Sequence, residues 1–241
     1  MPVFPLQNSK ILPKGCYNIM YISVALDGPA GAGKSTIAKR AAKELDYIYV
    51  DTGALYRTIG LAASRKGVEP VASKEVNNLL DEIKVDLTFN ENGDQAVLLN
   101  GEDVSGLIRT PEASMMASKI SAIPSVRAYL LDLQRNMAKT HNVIMDGRDI
   151  GTVVLPNAQI KIFLTASPEA RATRRYKELC EKGMDVKYED ILQDVITRDY
   201  NDSHRETAPL KPADDSILVD TTELDFEQSV QKIISIIKEN I

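Results

Sequence analysis

At 241 residues, 44% hydrophobic and 26% charged, the chain is long enough for one sizeable core and lies far from the disordered and membrane-spanning extremes of composition. Its formal net charge of −5 argues against a protein that coats nucleic acid, which presents a net basic face, but leaves room for a small anionic ligand held by local arginines. Cys16 and Cys180 stand apart, at neither metal-ligand nor redox spacing, and no apolar run approaches the roughly 20 residues that span a bilayer. The expectation is a cytoplasmic protein with free thiols and with neither membrane nor nucleic-acid partners; His141 and His204 are isolated and read as surface residues.

Residues 1–19 are interrupted by Pro2, Pro5 and Pro13 and lack a period, so they read as an extension ahead of one domain spanning 20–241. From Tyr21 to Leu26, YISVAL is a short β-rich run that ends in DGPAGAG and resumes as the helical pattern KSTIAKRAAKEL. A second strand, YIYV at 47–50, follows closely, giving a βαβ-like opening of a parallel sheet. Next, Asp51-Thr52-Gly53-Ala54-Leu55-Tyr56-Arg57 reads as a helix start with Thr52 as a competent cap. Between Lys84 and Val104, KVDLTF and QAVLLNGEDV alternate polar and apolar residues around the turn Asn90–Asp94, which reads as a small antiparallel insert. Later strands fall at Asn142–Met145, Gln159–Leu164 and Ser216–Val219, with helical stretches between. The fold class is therefore α/β, a three-layer sandwich on a central parallel sheet.

The strongest signal is Gly28-Pro29-Ala30-Gly31-Ala32-Gly33-Lys34-Ser35, a complete G-x-x-x-x-G-K-[ST] between strand and helix, with Thr36 following. Its glycines let backbone N–H groups converge on nucleotide phosphates, Lys34 would reach the β- and γ-phosphates, and Ser35 would ligate Mg²⁺. The motif alone means nucleoside-triphosphate binding, shared by GTPases, ATPases and small-molecule kinases. A nucleotide-dependent switch is disfavoured by the lack of an N-K-x-D-type segment and by the number of arginines.

Asp146-Gly147-Arg148-Asp149 follows a strand directly, with Asp146 reading equally as a Mg²⁺-side carboxylate and as a turn former. Ser167-Pro168-Glu169 opens a helix on which Arg171, Arg174 and Arg175 recur at i, i+3 and i+4. Their mutual repulsion would be relieved by a bound triphosphate, the competing reading being a solvated basic face. Arg198, Asp202 and Arg205 continue the stripe of Ile191 and Val195, as expected of a helix that runs from a core to the wall of a polar cleft.

Six segments in this order, DGPAGAGKST, DTGALYR, GEDVSGLIR, DGRDIGTVV, KIFLTASPEARATRR and RDYNDSHRETAPL, resemble those of bacterial cytidylate kinases, within the nucleoside monophosphate kinase group. The resemblance runs from about Tyr21 to the C-terminus. It implies a monophosphate-binding region over about 52–140, enlarged by the β insert at about 84–104, and a helical lid at about 167–205. It implies ATP with Mg²⁺ as donor and CMP or dCMP as acceptor. Lys34, Arg148, Arg171, Arg174 and Arg175 would neutralise charge during transfer. Thr52 lines the acceptor side, Arg57, Arg148 and Arg205 would hold the acceptor phosphate, Ser118, Arg127 and Asp149 would face the cytosine, and Arg198 and Asp202 the sugar. Ser118 and Arg127 carry no signal of their own and would otherwise pass as ordinary helix residues. A monomer is the expected form.

Overall fold

The computed structural model describes residues 21–90 and 94–241. The stretch 1–19 with Cys16, and the centre of the turn expected at Asn90–Asp94, lie outside the described residues. In chain order the elements are β1 (Ser23–Asp27), α1 (Lys34–Leu45), β2 (Ile48–Asp51), α2 (Thr52–Lys66), α3 (Lys74–Glu82), β3 (Val85–Phe89), β4 (Gln95–Leu99), β5 (Glu102–Asp103), α4 (Pro111–Ile120), α5 (Pro124–Thr140), β6 (Val143–Gly147), a π-helical turn (Ile150–Val154), β7 (Ile160–Thr165), α6 (Pro168–Glu181), α7 (Tyr188–His204), β8 (Ile217–Asp220) and α8 (Phe226–Glu239).

Five strands pair in parallel in the order β2-β6-β1-β7-β8. β1 is buried along its whole length, as a central parallel strand covered on both faces must be. Val24 and Leu26 pack with Ile37 and Ala41 of α1 and Val230 and Ile233 of α8. Ala25 points the other way, toward Val50, Met145 and Ile150. Helix, sheet and helix make the three layers expected. The βαβ-like opening needs one amendment: β1 and β2 are parallel but not neighbours, because β6 lies between them and bonds to both. The crossover through α1 leaves a one-strand gap, and Val143, Ile144 and Met145, all fully buried, fill it.

The antiparallel insert is a three-stranded sheet, β3-β4-β5, with Val85 opposite Leu99 and Leu98 opposite Asp103. Its inward side chains Val97 and Leu99 share a core with Leu55 and Ile59 of α2 and Leu130 of α5. Gln95 stitches it to the main sheet, since Asp51 N–H donates to Gln95 Oε1 at 2.8 Å. Helices α6 and α7 carry a small core of their own, Ala172, Leu179 and Ile191. Among the described residues no helix is long and apolar enough to cross a membrane, and Cys180 is a free, exposed thiol.

Candidate active site

The site grows from the carboxyl edge of the sheet, where β1 and β6 end side by side with Asp27 opposite Gly147. After β1 the chain turns on Gly28, at φ +147°, where a Cβ would lie 1.9 Å from the Leu164 carbonyl oxygen. Only glycine lets the loop lie this close to β7. Gly33 precedes α1 in the left-handed region, and no side chain caps that helix. Its first-turn N–H groups therefore face the loop, the arrangement that receives a phosphate. Lys34 is buried, and its Nζ donates to the Pro29 carbonyl at 2.7 Å. Burial first, and then the neighbouring Arg148, pull this ammonium well below its usual range, while Asp146 and Asp27 work against the shift.

Across the loop, Ser35 Oγ donates to Asp146 Oδ2 at 2.7 Å and Tyr49 Oη to Asp146 Oδ1 at 3.1 Å. Burial, reinforced by Asp51, pushes the Asp146 carboxyl up to about 6. A hydroxyl and a carboxylate side by side are hard oxygen donors that fit Mg²⁺. Among the described residues no cluster of three His, Cys, Asp or Glu side chains could hold a metal alone, so further ligands would have to come from phosphates and water. Thr52 is not the cap of α2. That role belongs to Asp51, whose Oδ1 accepts from Ala54 N–H at 3.0 Å, while Thr52 Oγ1 donates to the Asp146 carbonyl at 2.8 Å. An aspartate at the end of a strand can cap the next helix as well as a threonine can, and the tertiary contact to Asp146 decides between them.

A cationic cluster lies beyond the end of β6. Arg57 Nη2 donates to Asp51 Oδ2 at 2.7 Å and Arg148 Nε to Asp202 Oδ2 at 2.8 Å. Arg127 pairs through Nη2 with Asp149 and donates through Nη1 to the Ser121 carbonyl at 3.3 Å. Arg205 Nη2 lies 3.6 Å from the second Asp149 oxygen. Burial pushes the Asp149 carboxyl upward, against the pull of Arg127 and Arg205, and draws the Arg198 and Arg205 guanidiniums downward. Arg57 Nε, Arg198 Nε and Arg205 Nη2 are buried without a hydrogen-bond partner. Leaving such donors unsatisfied costs about 1–3 kcal/mol each, and a bound anion is the economical way to recover it.

Most of the expected acceptor-side residues thus come together. Ser118 stands at the edge of the group: half-buried on α4, its carbonyl accepts from Ser121 Oγ, which also lies 3.4 Å from Arg205 Nη1. Arg205 is not on the stripe of α7, which ends at His204; it is the next residue, in extended backbone, and enters the cluster from the loop. Sequence reasoning passed over Ser121, for which no signal existed. It also passed over Tyr49 and over Tyr56, whose ring lies 5.7 Å from the Arg127 guanidinium; position inside DTGALYR was the one cue to Tyr56.

The three arginines of α6 diverge. Arg171 is buried, donating to the Ala166 and Ala30 carbonyls at 2.9 and 3.0 Å and bidentately to Asp199 on α7. Arg174 donates to the Thr221 carbonyl at 2.5 Å, and exposed Arg175 pairs with Glu178 at 2.8 Å. The repulsion expected along one face is therefore offset by separate partners within the chain. Beside Arg171, the ends of β7 and β8 and Pro29 border an open groove of about 490 Å³ that also meets Ser167, Asp220 and Thr222.

Comparison with known proteins bears on what this cleft does. Residues 24–239 match the family model described as cytidylate kinase. A protein of Lactobacillus johnsonii named cytidylate kinase is 51% identical over 217 residues, 90% of this chain and 94% of that protein. One of Caldicellulosiruptor bescii with the same name is 49% identical over 215 residues, 89% of this chain and 95% of its own length. Among solved structures, an uncharacterized protein from Eubacterium ventriosum superposes with a TM-score of 0.50 at 13% identity, covering 90% of this chain and 98% of that one, a likeness of fold alone.

Proposed function

The chain belongs to the cytidylate kinase family, and on that premise we propose how its cleft phosphorylates CMP. The reaction is ATP-dependent transfer of a phosphoryl group to CMP, giving CDP and ADP, with dCMP as a second acceptor. The γ-phosphoryl passes in line to an acceptor oxygen that is already anionic near neutral pH, so no general base is needed and catalysis is positioning plus charge neutralisation.

The observation that carries the residue assignment is the buried Arg127–Asp149–Arg205 group beside Arg148–Asp202, with guanidinium donors left over. Arg57, Arg148 and Arg205 take the acceptor phosphate, Arg198 and Asp202 the sugar, and Asp149, Arg127 and Ser118 the cytosine. Thr52 acts through the Asp146 backbone. Residues Gly28 to Thr36 hold the donor phosphates. With the acceptor side at β6 and β2, the donor base falls on the opposite side of the loop, in the open groove at the ends of β7 and β8. Mg²⁺, held by Ser35 and Asp146, would neutralise phosphate charge. Helices α6 and α7, with their separate core, act as a lid that excludes water; on closure Arg174 and Arg175 turn to the donor phosphates, while Arg171 braces the loop through Ala30. The working form is a cytoplasmic monomer.

Cytosine offers an amino donor at N4 and acceptors at N3 and O2, matching a carboxylate, a guanidinium and a hydroxyl. Uracil reverses the pattern at positions 3 and 4 and leaves buried groups unpaired. An ADP-release assay with CMP, dCMP, UMP, AMP and GMP should therefore give kcat/KM for CMP and dCMP at least about tenfold above UMP, with the purines poorer still. Asp149→Asn should narrow that gap. Equal use of UMP or AMP by the native protein would overturn the base assignment and leave phosphoryl transfer standing.

A further inference from the structure

Asp27 is the last residue of β1, one bond before the phosphate loop, and only 5% of it is exposed. Its two carboxylate oxygens accept from consecutive backbone N–H groups on a different strand's continuation, Oδ1 from Ile150 and Oδ2 from Gly151, each at 2.7 Å. Those residues open the π-helical turn, whose N-terminal side receives no hydrogen bond from the side chain of its own preceding residue, Asp149. Asp149 is turned instead to Arg127, and the residue before it, Arg148, to Asp202. The backbone that carries both acceptor-side groups is therefore pinned by a carboxylate that belongs to the donor loop.

We infer that Asp27 is a positioning residue for the acceptor half of the site, fixing the backbone behind Arg148 and Asp149 so that both side chains meet the acceptor nucleotide in register with the phosphate loop. The inference rests on the proposed reading of Arg148 and Asp149 as acceptor contacts. Two short bonds to one carboxylate hold two consecutive peptide groups at once, which a single acceptor cannot do. Asp27 also lies in close contact with this turn, since a Cβ on Gly151 would lie 3.4 Å from Asp27 Oδ2. A buried carboxylate is a costly tether: burial, together with nearby Asp149, raises its proton affinity, and only the two N–H groups and Lys34 offset this.

The test is steady-state kinetics of Asp27→Asn in the full chain, varying acceptor and ATP separately, with the acceptor that the five-nucleotide panel ranks first. Asparagine keeps one acceptor and turns an NH₂ toward the other N–H. The expected result is an acceptor KM raised about tenfold or more while the ATP KM moves less than about threefold, with Asp27→Glu, which keeps the charge and both oxygens, recovering part of the loss. Should Asp27→Asn not fold, Asp27→Ser, which keeps a single acceptor in a smaller side chain, is read by the same ratio of KM changes. Unchanged acceptor KM in a folded variant overturns the inference, as does an equal rise in both KM values, which would mark a general structural role. Because the panel ranks acceptors independently, a failed cytosine assignment is seen there and leaves this ratio intact.

Discussion

Lys34 shows how one residue can be placed by local sequence and tuned by its surroundings. Its position after Gly33 comes from the motif, but its burial, its bond to the Pro29 carbonyl and the nearby charge of Arg148 make the side chain a cation that a triphosphate would stabilise. Lys34→Ala should leave the far-ultraviolet circular dichroism unchanged and lower kcat by ~10²-fold or more, since one preorganised charge at the transferring group is worth about 3 kcal/mol. Gly28 behaves oppositely. Gly28→Ala sets a methyl 1.9 Å from the Leu164 carbonyl at φ +147°, so the loop must leave β7. A loss of about 3 kcal/mol or more in urea unfolding is expected, together with loss of activity.

At the scale of elements, α6 and α7 form a pair in which one helix carries both a buried and an exposed arginine. Arg171 is 2% exposed and joins α6, α7 and the phosphate loop, so Arg171→Ala leaves Asp199 without its buried partner. The cost, about 2–4 kcal/mol, should lower Tm by roughly 5–10 °C. Arg175 sits in an exposed pair with Glu178, and Arg175→Ala should leave Tm nearly unchanged. Replacing Arg174 and Arg175 together by Ala should reduce kcat more than it raises the KM for CMP. Unchanged kcat would make the pair a solvated face, and differential scanning calorimetry of the single variants tests the partition of stability.

For the molecule as a whole, buried carboxylates make stability depend on pH in a direction that is easily misjudged. Asp27 has its carboxyl raised from 3.8 to about 6, mainly by burial. The folded state therefore holds its proton more tightly than the unfolded chain does. That contribution is fully present below about pH 4 and is lost as pH rises through about 6; two pK units correspond to about 2–3 kcal/mol. Asp146 shifts in the same direction. Urea unfolding of the native protein and Asp27→Asn should show their stability difference moving by that amount between pH 4 and 7, with the native protein losing more. A flat difference would mean that Asp27 titrates normally. Arg57 Nε, Arg198 Nε and Arg205 Nη2 are buried without hydrogen-bond partners in the free cleft, so CMP should raise Tm in a concentration-dependent way.

Where the determining interactions are local, the sequence alone decided the outcome. The strand, glycine turn and helix over Ser23–Leu45 depend on neighbours within a few residues, and so do the alternation that builds β3 and β4 and the Ser167 cap of α6, whose Oγ accepts from Ala170 N–H at 3.1 Å. Periodicity and capping read such contacts directly. It was tertiary structure that put β6 between β1 and β2, moved the cap from Thr52 to Asp51, set Arg205 beyond the helix and turned Arg171 inward. It also paired Asp27 with amides 123 and 124 residues away. Those outcomes depend on which distant surfaces meet once apolar faces are buried, and a hydrogen bond between strands leaves no period in the chain. The strand–turn–helix geometry of the phosphate loop was therefore legible in one dimension, while the enclosure that gives Arg127, Asp149 and Arg205 their shared burial exists only after the sheet has closed around them.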